Sequence, residues 1–308
     1  MAGAAKRGVV LEGTGGVWSV QTSDGALHNA SLRGRLKQDE KLKLAVGDDV
    51  TIGYDGHGDA WAITEMHTRR SRLARRAPGK RHAERIVVAN VDQVVVVFAF
   101  VKPEPHAGMI DRFLVIAEAN EITARLVLNK CDLASDDDQL ALARLYERAG
   151  YTVHRTSVRS RAGLDELHNA LAGRVSALSG PSGVGKSSLL NAMFPGVELR
   201  VGEISESVNK GRHTTVGAKL IPLPGGGFVA DTPGLREVGL WGIDSRSIDA
   251  CFPEIRACLG ECRFQDCAHD REPGCAVRVA IAAGSVSAER HASYVKLRAE
   301  LAESEQRY

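Results

Sequence analysis

No run of about 18 consecutive apolar residues occurs in the 308-residue chain, so no membrane-spanning helix is expected. Met1–Gly8 lacks an apolar core, so a secretory signal is not expected and a cytoplasmic location is the default. The net charge is only +2, too little for the chain as a whole to advertise a polyanionic partner. There is no internal repeat and no low-complexity tract, which excludes solenoids and a disordered chain. Cysteine is scarce, and four of the six cysteines fall between Cys258 and Cys275. Without a secretory signal, that clustering suggests a metal before disulfides.

What is present divides the chain into segments. Residues 8–66 carry five short alternating runs: Gly8–Leu11, Val17–Thr22, Ala26–Leu32, Asp49–Ile52 and Trp61–Glu65. Turns rich in Gly and Asp separate them, which predicts a small β-barrel of OB-fold or SH3-like type. Residues 69–85 hold Arg69, Arg70, Arg72, Arg75, Arg76, Lys80, Arg81 and Arg85 against the single acid Glu84. This basic block reads as a mobile linker able to contact phosphates. From Ile86 strands alternate with helices, and the unbroken apolar run Val94–Phe100 is a strand buried on both faces. The alternation predicts a largely parallel sheet flanked by helices. From Ile243 the chain is Cys-rich and irregular, closing in a helix over Ala288–Glu303. Its few apolar residues predict that metal supplies much of its folding energy.

Gly180-Pro181-Ser182-Gly183-Val184-Gly185-Lys186-Ser187-Ser188 satisfies G-x-x-x-x-G-K-[ST] between a predicted strand and a predicted helix. Glycines let backbone N–H groups approach phosphates, Lys186 adds charge at the β- and γ-phosphates, and Ser187 offers a hydroxyl to Mg²⁺. Asn129-Lys130-Cys131-Asp132 follows the strand Ala124–Leu128 and matches the N-K-x-D guanine motif. There Asp132 accepts from the guanine N1–H and 2-amino groups, donors that adenine lacks. Ser157-Val158 resembles the short motif whose backbone meets the guanine oxygen. Asp231-Thr232-Pro233-Gly234 resembles D-x-x-G, its Asp on Mg²⁺ through water and its Gly on the γ-phosphate. Upstream, Thr214 or Thr215 is the candidate switch threonine on Mg²⁺. A P-loop ATPase or kinase would have no N-K-x-D at a strand end. An RNA-binding protein with a decayed site would not keep Asp132, Lys186, Ser187 and Asp231.

These motifs occur in permuted order, with N-K-x-D before the phosphate loop and the switches last. Surface termini can be joined and reopened without loss of the sheet. With the barrel, the permuted motifs and Cys262-Arg263-Phe264-Gln265-Asp266-Cys267-Ala268-His269, the chain resembles the RsgA (YjeQ) family over nearly its whole length. The resemblance implies an OB-fold N-terminal barrel, a central α/β P-loop GTPase and a C-terminal zinc-binding α-rich domain. It sets expected bounds of 1–68, 69–85 (linker), 86–242 and 243–308. It implies GTP hydrolysis stimulated by the small (30S) ribosomal subunit, a role in that subunit's late maturation, contact with 16S rRNA, and Mg²⁺ with GTP. A monomer is expected. It also selects Cys262, Cys267, His269 and Cys275 as ligands of one structural Zn²⁺, leaving Cys258 a bystander. Leu235 stands where Ras-type enzymes carry the water-orienting Gln. His213 is then the candidate catalytic group beside Lys186, as the resemblance also implies.

Overall fold

The computed structural model describes residues 5–33, 43–54, 60–76, 84–197, 218–231, 240 and 242–306. Five strands, β1 (Lys6–Thr14), β2 (Val17–Thr22), β3 (Leu27–Leu32), β4 (Asp49–Tyr54) and β5 (Trp61–Met66), close into a barrel of order β1-β2-β3-β5-β4. Alternation points Val10, Val20, Ala30, Val50, Ile52 and Ile63 inward to a dry core. β3 and β5 run parallel and the other pairs antiparallel. This closed five-stranded arrangement is the OB-fold.

The segment read as a free basic linker is partly folded. β6 (Arg72–Arg76) pairs antiparallel with β7 (Glu84–Ala89), and Leu73 opposite Val88 is completely buried with it. Arg69 is a bidentate partner of the fully buried Asp48 carboxylate at 2.6 and 2.7 Å. Arg70 pairs with Asp92 at 2.7 Å. The Ala89 N–H donates to Val46 O, and Asn90 Nδ2 to Gly47 O, which ties the barrel to the end of β7. The high charge of the block hid its one fully buried apolar residue, Leu73.

Beyond β7 lies a six-stranded sheet, with β8 (Gln93–Ala99), β9 (Thr123–Asn129), β10 (Thr152–Arg155), β11 (Val175–Ser179), β12 (Lys219–Pro222) and β13 (Phe228–Asp231) in the order β10-β9-β8-β11-β13-β12. All are parallel except β12. Every residue of β8 is buried. Val94, Val96 and Phe98 face one apolar cluster, and Val95, Val97 and Ala99 the other. Helices α1 (Ala107–Ala119), α2 (Asp136–Arg148), α3 (Leu164–Leu171) and α4 (Lys186–Met193) link the strands. α2 opens on three acids ahead of its apolar face. Ser135 caps it by accepting from Asp138 N, and Asp136, Asp137 and Asp138 suit its positive end.

The C-terminal segment is α-rich, as the resemblance implies, though its residues read as irregular before the last helix: a 3₁₀ turn (Ile248–Cys251), α5 (Pro253–Arg256), α6 (Ala276–Ala282) and α7 (Ala288–Gln306). Among the described residues its apolar side chains form no separate core. Ile248, Phe252, Ile255, Val277, Tyr294, Leu297 and Leu301 join the cluster of Ile110 and Leu114 on α1. Docking on the sheet's helical layer therefore supplies apolar burial that the segment's own composition did not suggest. The junction is centred on Arg290, which is 1% exposed. Its guanidinium bonds Asp111 of α1 at 2.6 Å and Glu254 of α5 at 2.7 and 3.0 Å. The rings of Tyr146, Tyr151 and Phe252 lie 4.9–5.4 Å from it. Burial opposes the charge, and the Glu254 hydrogen bonds with the Asp111 charge outweigh burial, so Arg290 holds its proton more firmly than usual.

Candidate nucleotide site and metal centre

Because β8, β9, β10 and β11 are parallel, their C-terminal ends deliver four loops to one edge of the sheet, where ligands bind in such folds. Gly180 leaves β11 at φ +130°, and a Cβ there would sit 2.0 Å from Val97 O. Gly185 precedes α4 at φ +95°, and its Cβ would meet Asn129 Nδ2 at 2.5 Å. Only glycine fits these approaches. Lys186 and Ser187 begin α4 and are both buried. The Lys186 ammonium donates to Gly180 O at 2.9 Å and Pro181 O at 2.7 Å, which places it inside the loop's curve. Pro181, Ser182 and Gly183 complete the curve, and Val184 anchors it in the core at 0% exposure.

The N-K-x-D segment is stitched to that loop. Asn129 donates from Nδ2 to Val184 O at 2.8 Å and accepts at Oδ1 from Thr156 Oγ1 at 3.2 Å. Lys130 adopts a left-handed conformation, φ +60°, and donates from Nζ to Gly183 O at 2.7 Å and to Lys102 O. The Cys131 N–H donates to Thr156 O, and Gln139 Nε2 donates to Cys131 O. The Cys131 thiol is pushed up, first by burial and then by the Asp132 charge, so it is an inert side chain. Asp132 is exposed, and its Oδ1 accepts from Ser157 Oγ at 2.6 Å. Ser157 is fully buried and also accepts from Ser160 N at 3.1 Å, while Val158 packs beside the second apolar cluster. Sequence-marked Asn129, Lys130, Asp132, Ser157 and Gly180–Ser188 thus come together. Thr156, which no motif marks, holds Asn129 in place.

Asp231 ends β13 with its backbone in register with Lys219. The Ala177–Ala230 pairing sets it beside the end of β11. His213, Thr214, Thr215 and Gly234 lie outside the described residues.

A second cluster lies in the C-terminal segment. The donor atoms of Cys262, Cys267, His269 and Cys275 all lie within 4.8 Å of one another. His269 Nδ1 is 3.5 Å from both Cys262 Sγ and Cys275 Sγ, and those sulfurs are 4.0 Å apart. A tetrahedral zinc site needs separations of about 3.5–3.8 Å, which the two His269 contacts meet, and the wider ones, up to 4.8 Å, need only a slight contraction for three thiols and one imidazole to enclose the ion. The backbone supports the donors. His269 sits at φ +59°, its Nε2 lies 3.4 Å from Asp249 Oδ2, and its carbonyl accepts from His291 Nε2. A carboxylate behind a ligating imidazole fixes its tautomer, and no sequence motif marks Asp249. Glu272 gathers the N–H groups of Ala268, Asp270 and Arg271. Burial and contact with the neighbouring thiols push Cys267 up to about 12, a cost that a divalent cation reverses. Cys258 stands outside the set, with its thiol donating to Glu254 O.

Known proteins place this geometry. The sequence model of the RsgA GTPase family matches residues 66–241. The small ribosomal subunit biogenesis GTPase RsgA of Gemmatimonas aurantiaca is 61% identical over 297 residues, covering 96% of this chain and 97% of that protein. The protein of the same description from Azotobacter vinelandii is 43% identical over 98% of this chain and 88% of its own. The crystal structure of YjeQ from Thermotoga maritima superposes with a TM-score of 0.80 at 34% identity, covering 97% of this chain and 99% of that one. YloQ, a circularly permuted GTPase, superposes at 0.76 and 28% identity, covering 98% and 96%. The chain belongs to the RsgA GTPase family.

Proposed function

We propose that this GTPase acts in the late maturation of the small ribosomal subunit, hydrolysing GTP to GDP and phosphate with stimulation by the subunit. The observation that carries the reading is the stitching of the guanine motif to the phosphate loop through Asn129 and Lys130, in a chain alike end to end to proteins described as small ribosomal subunit biogenesis GTPases. The division into residues 1–68, 69–85, 86–242 and 243–308 follows the family's modules, with β6 folded inside the basic segment.

Asp132, oriented by Ser157, reads the guanine edge. Lys130 packs over the base, and Ser157–Val158 meets the guanine oxygen. Backbone N–H groups from Gly180 to Ser188 and the α4 N-terminus hold the phosphates, with Lys186 at the β- and γ-positions. Ser187, Asp231 and Thr214 or Thr215 are the residues that would hold Mg²⁺, which when bound neutralises charge on the β- and γ-phosphates. The Gly234 N–H senses the γ-phosphate. His213 orients the water that attacks the γ-phosphorus, because Leu235 has no polar atom with which to do so. Cys262, Cys267, His269 and Cys275 hold one structural Zn²⁺.

The partner is the subunit and its 16S rRNA, met by a monomer in the cytoplasm. Among the described residues no helix is long and apolar enough to cross a membrane. Arg69 is committed to the buried Asp48 and Arg70 pairs with Asp92, so Arg69 is not where the block would meet rRNA. GTP hydrolysis measured with and without purified small subunits tests the proposal. A rate that rises severalfold or more supports it, and an unchanged rate over a saturating range of subunits overturns it.

A further inference from the structure

Three elements meet at the Lys130 ammonium, and sequence motifs account for only two of them. One is the base loop that carries Lys130. The second is the phosphate loop, through Gly183 O at 2.7 Å. The third is the connection from β8 to α1, residues 100–106, whose Lys102 carbonyl accepts from the same ammonium. This connection also lies against the phosphate loop, since a Cβ on Gly183 would stand 3.9 Å from Pro103 Cδ. Both its ends are fixed. The Phe100 N–H donates to Asn129 O at 2.9 Å, and the His106 carbonyl accepts from Met109 N and Ile110 N as α1 begins. Tyr146 of α2 donates to Ala107 O.

Lys102 itself sits at φ +51°, the left-handed region, which ordinary side chains occupy at a cost. That conformation turns its carbonyl toward Lys130 while the residue stays on the exposed surface. We propose that the β8–α1 connection is a third wall of the nucleotide site, and that Lys102 is a positioning residue whose carbonyl fixes the Lys130 side chain over the guanine base. The proposal rests on the assignment of Asn129–Asp132 as the guanine loop. An ammonium shared by two carbonyls from separate loops has little freedom left. Its aliphatic stem is then held ready, and less side-chain entropy is lost when the base arrives. The Lys102 side-chain charge has no part in this.

The test separates backbone from charge by substitution at one position. Lys102→Gly and Lys102→Asn keep access to the left-handed region and remove the ammonium. Lys102→Val disfavours that region and turns the carbonyl away. Equilibrium binding and dissociation of fluorescent GDP and GTP analogues are measured for each. Lys102→Val is expected to bind both nucleotides about tenfold more weakly, mostly through faster dissociation, the size of one lost charge-assisted hydrogen bond. The Gly and Asn variants are expected to stay within about twofold of the unaltered protein. In a Lys130→Met background, Lys102→Val should add nothing further, because its effect passes through Lys130. Unaltered binding in Lys102→Val overturns the proposal. So does equal weakening in all three variants, which would assign the effect to charge, and so does a full effect in the Lys130→Met background, which would assign it to general damage. If the unaltered protein binds no guanine nucleotide, the guanine assignment itself falls, and this proposal with it.

Discussion

At Gly180 the chain tolerates no side chain for two independent reasons, a φ of +130° and the Val97 carbonyl 2.0 Å from where a Cβ would lie. The neighbour is backbone of a fully buried strand and cannot yield. Gly180→Ala is therefore expected to cost about 1–3 kcal/mol of stability and to displace the phosphate loop. A lower melting temperature together with loss of nucleotide binding, by calorimetry, would bear this out. Asp132 presents the opposite case, a residue whose chemistry matters more than its space. One carboxylate oxygen is fixed by Ser157, and the residue is exposed at the strand end. Asp132→Asn puts a donor where an acceptor meets the guanine N1–H and 2-amino groups. It should weaken GTP roughly a hundredfold and favour xanthosine triphosphate instead. Competition between the two nucleotides measures that exchange of preference, and tight GTP binding by the variant would refute the role of Asp132.

Elements were legible in the sequence where one physical signal dominated. The run Val94–Phe100 announces β8 because both faces of the strand are buried. The phosphate loop and the base loop are marked by residue types that their backbones require. Other elements depend on partners distant in sequence and left weaker signals. β6 and β7 hold their apolar pair, Leu73 and Val88, inside a field of arginines. The helices α5 and α6 are only four and seven residues long and are stabilised by docking, so no helical period develops. The wall at Lys102 has no motif, because a backbone carbonyl leaves no mark on residue identity. The C-terminal donor cluster is intermediate, since its cysteines were visible and the Asp249 behind His269 was not. Purified protein is expected to contain about one zinc per chain, and Cys267→Ala to lose most of it. Because Ile248, Phe252 and Leu297 remain anchored in the shared core, the variant should keep most of its helical circular dichroism. Metal analysis alongside the spectrum checks both halves. Full zinc occupancy without Cys262, Cys267 and Cys275 would refute the assignment.

Across the whole molecule, the modules flanking the GTPase are fastened to it by different means. The barrel is joined through backbone and a buried ion pair: Gly47 against Ala89, and Asp48 with Arg69. Cutting away residues 1–66 would uncover Leu73, Val88 and Ala89, so such a deletion damages the GTPase as well as removing the barrel. The C-terminal module is fastened by shared apolar packing with the Arg290 ion cluster at its centre, and that cluster offers the cleaner test of coupling. Asp111 belongs to α1, which begins where the Lys102 wall ends, and Glu254 belongs to the module. The Arg290 cluster thus touches both the module and the helix that begins beside the nucleotide site, which makes it the place to test for coupling. Arg290→Met would leave two buried carboxylates without their cation, a loss of about 3–5 kcal/mol when one member of a buried ionic set is removed. Arg290→Lys should recover little, because an ammonium cannot grip Glu254 bidentately while also reaching Asp111. A triple replacement, Asp111→Leu with Glu254→Met and Arg290→Met, removes the stranded charges and should restore much of the stability. The three proteins separate stability from coupling. If the ionic junction transmits the subunit's effect, the triple variant should melt near the unaltered protein and hydrolyse GTP alone at the usual rate. Its acceleration by small subunits should nevertheless fall severalfold or more. Turnover assays over a range of subunit concentrations, with melting curves for each variant, decide the matter. Full acceleration in the triple variant would show that apolar packing around Phe252 and Tyr294 suffices for coupling, and that Arg290 serves stability alone.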